Sequence, residues 1–122
     1  MDPMGLFNDL FGRKEEKEKK IEEHSVIVQF TYYKEDLAPL HRLEEQLEKV
    51  VNKTGVGEYD GHEIAVDLSD GALFMYGPNA ENLFKAVKPI LEQTDFTKGA
   101  IATLMFGGHG SGAKEIEIQI EK

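Results

Sequence analysis

The sequence of 122 residues contains no cysteine. This absence excludes disulfide bonds, thiolate metal sites and thiol catalysis, and it fits a protein that works in the cytoplasm. Long apolar runs are also missing. None approaches the ~18 residues that a membrane-spanning helix needs, so we expect no integral membrane association. The first residues lack the apolar run and small-residue cleavage pattern of a secretory leader, which agrees with a cytoplasmic location.

Positive charge is scarce: 14 Lys and Arg residues stand against 23 Asp and Glu residues, and the formal net charge is −9. A field of this sign repels phosphates, so we expect no nucleic-acid binding. It would suit a basic protein partner, although many proteins are acidic for solubility alone. The 40% hydrophobic and 30% charged composition is typical of one globular domain with an ordinary core.

The chain divides into a charged N-terminal segment at residues 1–23 and a folded domain at residues 24–122. Four apolar side chains of the segment share one face at helical spacing: Leu6, Phe7, Leu10 and Phe11. A run of mixed charge, residues 13–23, follows them. These features predict a mobile tail, or a helix that packs on its own domain or on a neighbouring subunit. A membrane-surface helix is the weaker alternative, because the apolar face is only about two turns long.

The first half of the domain predicts a strand followed by a helix. Residues 25–33 are rich in β-branched and aromatic types, which favour strands. We expect Asp36 to cap the helix, with Pro39 in its first turn, and Gly55 and Gly57 to end it. The helix has an apolar stripe that comprises Leu40, Leu43, Leu47, Val50 and Val51.

A hairpin and a second helix form the centre of the predicted domain. Strands centred on residues 64–66 and 73–76 flank Ser69-Asp70-Gly71, and Asp-Gly between apolar runs is a strong hairpin signal. The alternation over residues 63–68 predicts a half-buried first strand. Asn79 is predicted to cap the second helix, and Pro89 should kink that helix or remove one of its hydrogen bonds.

The end of the chain predicts two strands joined by a glycine-rich connection. Residues 99–106 are apolar on both faces, which is typical of a central strand. Residues 107–112 are interpreted as a mobile connection. Over residues 115–121, isoleucines alternate with charged or polar side chains, as expected for an edge strand whose charges discourage aggregation.

The element order βαββαββ predicts an α+β fold, a ferredoxin-like open sandwich (βαββαβ) with an extra C-terminal strand. Two helices would lie on one face of an antiparallel-rich sheet. The other face would be too apolar for bare water, so we expect a second copy of the chain, or the N-terminal segment, to cover it. The residues expected there include several of Ile27, Thr31, Tyr33, Ala65 and Phe74, with either Ile101 and Met105 or Leu104 and Phe106.

No stretch of the sequence matches a catalytic or cofactor-binding motif. Gly107–Lys114 resembles a phosphate-binding loop superficially, but Ala113 precedes the lysine and a strand follows instead of a helix. The 4 histidines are dispersed and lack the spacing of a zinc site. We therefore expect no cofactor and no metal.

Seven residues are candidates for binding, although an ordinary solvated or core role is favoured for each. Acidic side chains concentrate on the predicted hairpin, where they could hold a hard cation or a basic partner. His62 could join Glu63 and Asp67 in a site, because the latter two are predicted to project from the same strand face. The candidates are Tyr33, Glu58, Asp60, His62, Glu63, Asp67 and His109.

Three stretches, residues 58–64, 70–78 and 96–99, together resemble a family of small uncharacterised bacterial proteins. Its members share a Gly-Glu-Tyr/Phe-Asp-Gly stretch and a Tyr-Met-Tyr-Gly-Pro-like stretch, the latter represented here by Phe-Met-Tyr-Gly-Pro at residues 74–78. The resemblance covers roughly residues 55–107. It implies a stand-alone cytoplasmic domain and brings no activity with it.

The sequence favours a non-enzymatic protein-binding or regulatory domain that forms a homodimer through the open face of its sheet. One alternative is an immunity-type inhibitor that neutralises a basic toxin, because an acidic surface speeds association with such a target. The other alternative is a small enzyme or ligand-binding protein with a pocket at the dimer interface. In that case Tyr33, His62, Glu63 or Asp67 should line a shared concavity.

Overall fold

The computed structural model of the protein describes residues 23–107 and 114–121. In chain order it contains β1 (His24–Thr31), α1 (Ala38–Thr54), β2 (Glu58–Ile64), β3 (Asp70–Gly77), α2 (Ala80–Gln93), a short 3₁₀ turn (Asp95–Thr97), β4 (Ile101–Met105) and β5 (Glu115–Gln119). The predicted α+β class is confirmed. Among these residues, no helix is long and apolar enough to cross a membrane.

The five strands form one open sheet in the order β2-β3-β1-β4-β5. Every neighbouring pair is antiparallel. β1 therefore lies in the middle, and β5 lies at an edge beside β4, where the sequence placed it. Both helices pack on the same face of this sheet, and the residues between them and the strands form the core.

The ends of the helices largely follow the sequence. The side chain of Asn79 caps α2 by accepting a hydrogen bond from the backbone N–H of Asn82 at 3.0 Å. Gly55 ends α1 in the left-handed region, with φ of 69°. The prediction of Asp36 as the cap of α1 is wrong, because Leu37 occupies that position. Asp36 still accepts a hydrogen bond from the N–H of Ala38 at 3.0 Å, so it satisfies one donor of the first turn.

The two strands of the hairpin have bounds that differ from the prediction. β2 ends at Ile64, residues 65–69 form the loop, and Asp70 and Gly71 already belong to β3. The positive φ that the turn needs is supplied by Leu68, with φ of 61°. Gly71 is required for a different reason, because a Cβ at its position would lie 2.7 Å from the carbonyl oxygen of Glu63 in β2.

The sheet has one face that α1 and α2 cover and one face that neither of these helices covers. The helix-covered face carries the side chains with almost no exposure, among them Val26, Val28, Leu73, Met75 and Leu104. Because successive residues of a strand point to opposite faces, the residues between these point to the other face, which we call the open face.

Candidate functional site

The centre of the open face is apolar. On β1 and β3, Ile27 pairs with Phe74, and on β1 and β4 it pairs with Thr103. The side chains around this row are partly buried, although neither of the two described helices lies over them. We call this group the apolar stripe: Ile27, Phe74, Tyr76, Ile101 and Met105. It corresponds to the Ile101 and Met105 alternative of the sequence prediction.

Carboxylates border the apolar stripe on both sides. Glu58 pairs with Tyr76 and Glu63 pairs with Ala72 along β2, while Glu115 pairs with Met105 along β5. All three glutamates are exposed. With two further exposed carboxylates on the same face they form what we call the acidic rim: Glu58, Glu63, Asp70, Glu115 and Glu117.

No cation accompanies the acidic rim within the sheet, because none of the five described strands contains a Lys or an Arg. Lys34 and Lys98 lie beyond the strand ends, and Lys114 lies just before β5. The open face is thus an apolar centre between two negatively charged borders. Such a surface favours a binding partner that is apolar in the middle and positively charged on its sides.

An open concavity of about 840 Å³ lies at the end of the sheet where β1 ends and β4 begins. Glu63 of the acidic rim and Ile101 of the apolar stripe are among the residues that line it, together with Lys34, Asp95 and Lys98. The amine of Lys34 donates a hydrogen bond to the carboxylate of Asp95 at 2.9 Å. This hydrogen bond and the neighbouring positive charges lower the pKa of Asp95 below its ordinary value.

Tyr33 lies at the same end of the sheet, beyond the last residue of β1, Thr31. Its backbone has a positive φ of 52°, and its N–H donates a hydrogen bond to the carbonyl of Leu68 at 2.7 Å. Tyr33 and Leu68, both non-glycine residues with positive φ, are therefore hydrogen-bonded to each other. The Tyr33 side chain is 73% exposed, and Val66 on the neighbouring loop is fully exposed.

His62 lies on the helix-covered side of the sheet, where it meets a residue that the sequence analysis missed. One carboxylate oxygen of Glu44 in α1 accepts a hydrogen bond from the Tyr59 hydroxyl at 2.5 Å. The same oxygen lies 2.8 Å from Nδ1 of His62. We call these three residues the polar cluster. Burial, with the hydrogen bond and charge of Glu44, raises the pKa of Tyr59 well above its ordinary value. The cluster ties the edge strand β2 to helix α1.

The remaining sequence candidates are dispersed. Asp60 lies at an irregularity of β2, where the register with β3 shifts between Tyr59 and Gly61. Asp67 belongs to the hairpin loop and not to a strand, so the prediction that it shares a strand face with Glu63 is wrong. It accepts a hydrogen bond from the N–H of Ser69 at 3.0 Å, and bonds to Ser69 lower its pKa. His109 lies outside the described residues.

Of the seven candidates, the structure thus brings Glu58 and Glu63 together on the acidic rim. Over residues 23–107 and 114–121 it assembles no group of three or more His, Asp or Glu side chains suited to holding a metal ion. One signal could have pointed to Glu44: it lies three residues after His41, so both can face a strand that lies beside α1. The rings of His41 and His62 are 6.3 Å apart.

The chain was compared with family models, with curated proteins and with solved structures, and none of the three comparisons gives a match.

Proposed function

We propose that this chain is a non-enzymatic protein-binding or regulatory domain that takes a basic protein partner on the open face of its sheet. One observation carries the proposal: the apolar stripe lies between two borders of carboxylates, and the described strands contain no cation to neutralise them. Apolar contact would supply affinity, and the acidic rim would supply orientation and a fast association rate.

A second copy of the chain is the competing occupant of the open face. Stacked sheets lie ~10 Å apart, and in an aligned stack each copy would bring the five carboxylates of its rim toward those of the other. Like charges that face each other across an interface disfavour it. The homodimer stays a prediction of the sequence, and the charge of the rim favours the basic partner over it.

The finer fold assignment does not distinguish between functions. The order β2-β3-β1-β4, with all pairs antiparallel and both helices on one face, supports the ferredoxin-like type with β5 added outside β4. That fold hosts unrelated functions, so the proposal depends on the surface and not on the fold. The family resemblance would add a bacterial source and a cytoplasmic location. An immunity-type inhibitor of a basic toxin is the special case in which the partner is an enzyme.

The alternative of a small enzyme or ligand-binding protein with a pocket has less support from the geometry. Of Tyr33, His62, Glu63 and Asp67, only Glu63 lines the concavity at the end of the sheet. His62 is turned toward Glu44 on the other side of the sheet. The concavity is also lined by side chains of mixed charge, namely Lys34, Lys98 and Asp95.

The proposal is tested by calorimetric titration with a synthetic amphipathic helical peptide of leucine and lysine. We expect binding that weakens as salt is added. The double variant Glu63→Gln/Glu117→Gln should weaken it about two- to thirtyfold, because each exposed charge pair contributes ~0.2–1 kcal/mol. The control Glu45→Gln/Glu81→Gln removes the same charge from exposed positions on the helices and should bind like the parent chain.

Equal losses in the rim variant and the helix variant would contradict the proposal, since binding would then depend on net charge alone. Sedimentation of the full chain tests whether a second copy occupies the open face. A dimer that Phe74→Asp dissociates, with no peptide binding by the parent chain, would replace the basic partner with a second copy.

A further inference from the structure

The described structure begins in the middle of the sheet. Glu23 precedes His24, the first residue of β1, and His24 pairs with Gly77 of the neighbouring strand β3. The N-terminal residues of the chain therefore reach the domain at its central strand, beside the apolar stripe and not at an edge. Burial, followed by the charges of Asp60 and Glu23, raises the pKa of Tyr76 in the stripe, so Glu23 lies near that tyrosine.

The sequence of the N-terminal segment has the chemistry that the open face favours. Residues spaced alternately by three and four lie on one side of a helix. Starting from Phe7, this spacing selects Leu10, Lys14, Lys17 and Ile21. Three apolar side chains and two lysines would thus share one side, which matches an apolar stripe bordered by carboxylates.

Of the two faces of the described sheet, the open face is the one that α1 and α2 leave free for this segment. The opposite face of the described sheet is already filled by α1 and α2, whose contacts leave its strand residues almost without exposure. The dimensions also agree, because residues 6–21 as a helix would be about 24 Å long. The strands β1 and β3, of 8 residues each, are about 26 Å long.

We propose that residues 6–21 of the same chain cover the open face in the free protein, and that a basic partner binds by displacing them. The displacement step depends on the function proposed above, whereas the cover does not. Attachment at the central strand gives the segment a local concentration in the millimolar range, so weak contacts suffice to hold it. The cover would keep the apolar stripe from water until a partner competes for it.

Paramagnetic relaxation in the full chain tests the cover. Because the sequence contains no cysteine, Asn8→Cys provides a single site for a nitroxide label, on the side of the segment away from Leu10 and Lys14. We expect strong, concentration-independent attenuation of the amide signals of β1, β3 and β4. The outer faces of α1 and α2 should be affected least. The reduced label provides the diamagnetic reference.

A matched pair of variants then tests the lysines. Lys17→Glu lies on the side of the segment that would face the rim, and Lys19→Glu makes the same charge change off that side. The first should reduce the attenuation of the sheet signals at least twofold, and the second should leave it unchanged. Equal effects of the two variants would overturn the proposed seating of the segment.

The remaining outcomes are also decisive. Absence of attenuation on the sheet would overturn the cover. Attenuation that appears only in a mixture of labelled chains and isotope-enriched unlabelled chains would assign the face to a second copy. If the cover fails while the rim variant still loses peptide binding, the proposed function stands alone. If the cover is found but no variant alters peptide binding, the cover stands and the proposed function fails.

Discussion

The two faces of the sheet are built from the same five strands, yet they differ in what their side chains can do. Leu73 on the helix-covered face has 0% exposure, whereas its neighbour Phe74 on the open face is only partly buried. Full burial of one large apolar side chain contributes about 1.5–3 kcal/mol to folding. The helix-covered face therefore supplies the stability of the domain, and the open face keeps apolar surface that another segment or protein can use.

The polar groups of the two faces differ in the same way. On the helix-covered side, Glu44 is satisfied by the Tyr59 hydroxyl and lies within hydrogen-bonding distance of His62. On the open side, the glutamates of the rim are exposed, and the described strands offer them no cation. Partnered polar groups stabilise a fold, whereas exposed charges of one sign cost a little stability and attract a partner.

The largest expected effect separates two adjacent residues of β3. Leu73→Ala should lower the free energy of unfolding by about 2–5 kcal/mol, because it removes a fully buried side chain and leaves a cavity. Phe74→Ala should cost clearly less, since its side chain is only partly buried. Urea unfolding of both variants measures the difference. Equal costs would mean that the open face is packed as tightly as the core.

The next effect concerns the polar cluster. Glu44→Leu should destabilise the protein by about 1–3 kcal/mol, because the Tyr59 hydroxyl and His62 lose their acceptor in a partly buried position. Glu45→Leu changes the next residue of α1, which is exposed, and should be nearly neutral. Thermal unfolding of the two variants side by side checks the prediction, and a neutral Glu44→Leu would show that the cluster does not hold β2 to α1.

Alkaline pH should reveal the same cluster. The pKa of Tyr59 is raised in the folded state, so its contribution to stability is fully present below the ordinary tyrosine pKa of about 10. Above that pH the unfolded chain loses the proton and the folded chain keeps it, so stability falls by up to about 1.4 kcal/mol per pH unit. Tyr59→Phe should flatten this decline in urea midpoints measured from neutral pH upward. Tyr76→Phe should flatten it less, because Tyr76 is less buried.

The order of elements could be predicted because each carries its own local pattern. The stripe that contains Leu40, Leu43 and Leu47 has helical spacing, and these residues are all buried. The hairpin register could not be read in the same way. Val66 and Leu68 continue an apolar alternation, yet they belong to a loop where Val66 is fully exposed. A loop residue that happens to be apolar is indistinguishable from a strand residue by period alone.

The candidate site was only partly predictable, for a related reason. The register shift between Tyr59 and Gly61 changes which side of β2 the following residues occupy. His62 therefore joins Tyr59 on the helix-covered side, and Glu63 joins the acidic rim. A bulge gives no clear signal in a single sequence, so the side of β2 that His62 shares with Tyr59 could not be anticipated. Glu44 is 18 residues from His62 along the chain, and only the packing of α1 on β2 brings them together.

The smallest predicted effects concern two exposed carboxylates, whose neutralisation should change stability in opposite directions. From the described strands alone, Glu63→Gln should stabilise the protein by a few tenths of a kcal/mol at low salt, because it removes one like charge from a rim without a cation in those strands. Asp95→Asn should destabilise it by about 0.2–1 kcal/mol, because it removes the acceptor of Lys34 from an exposed ion pair. Both differences should shrink in 1 M salt, where the Debye length is about 3 Å. Urea midpoints at the two salt concentrations measure them. A loss of stability in Glu63→Gln would mean that a cation outside the described strands neutralises the rim, as the lysines of the proposed cover would.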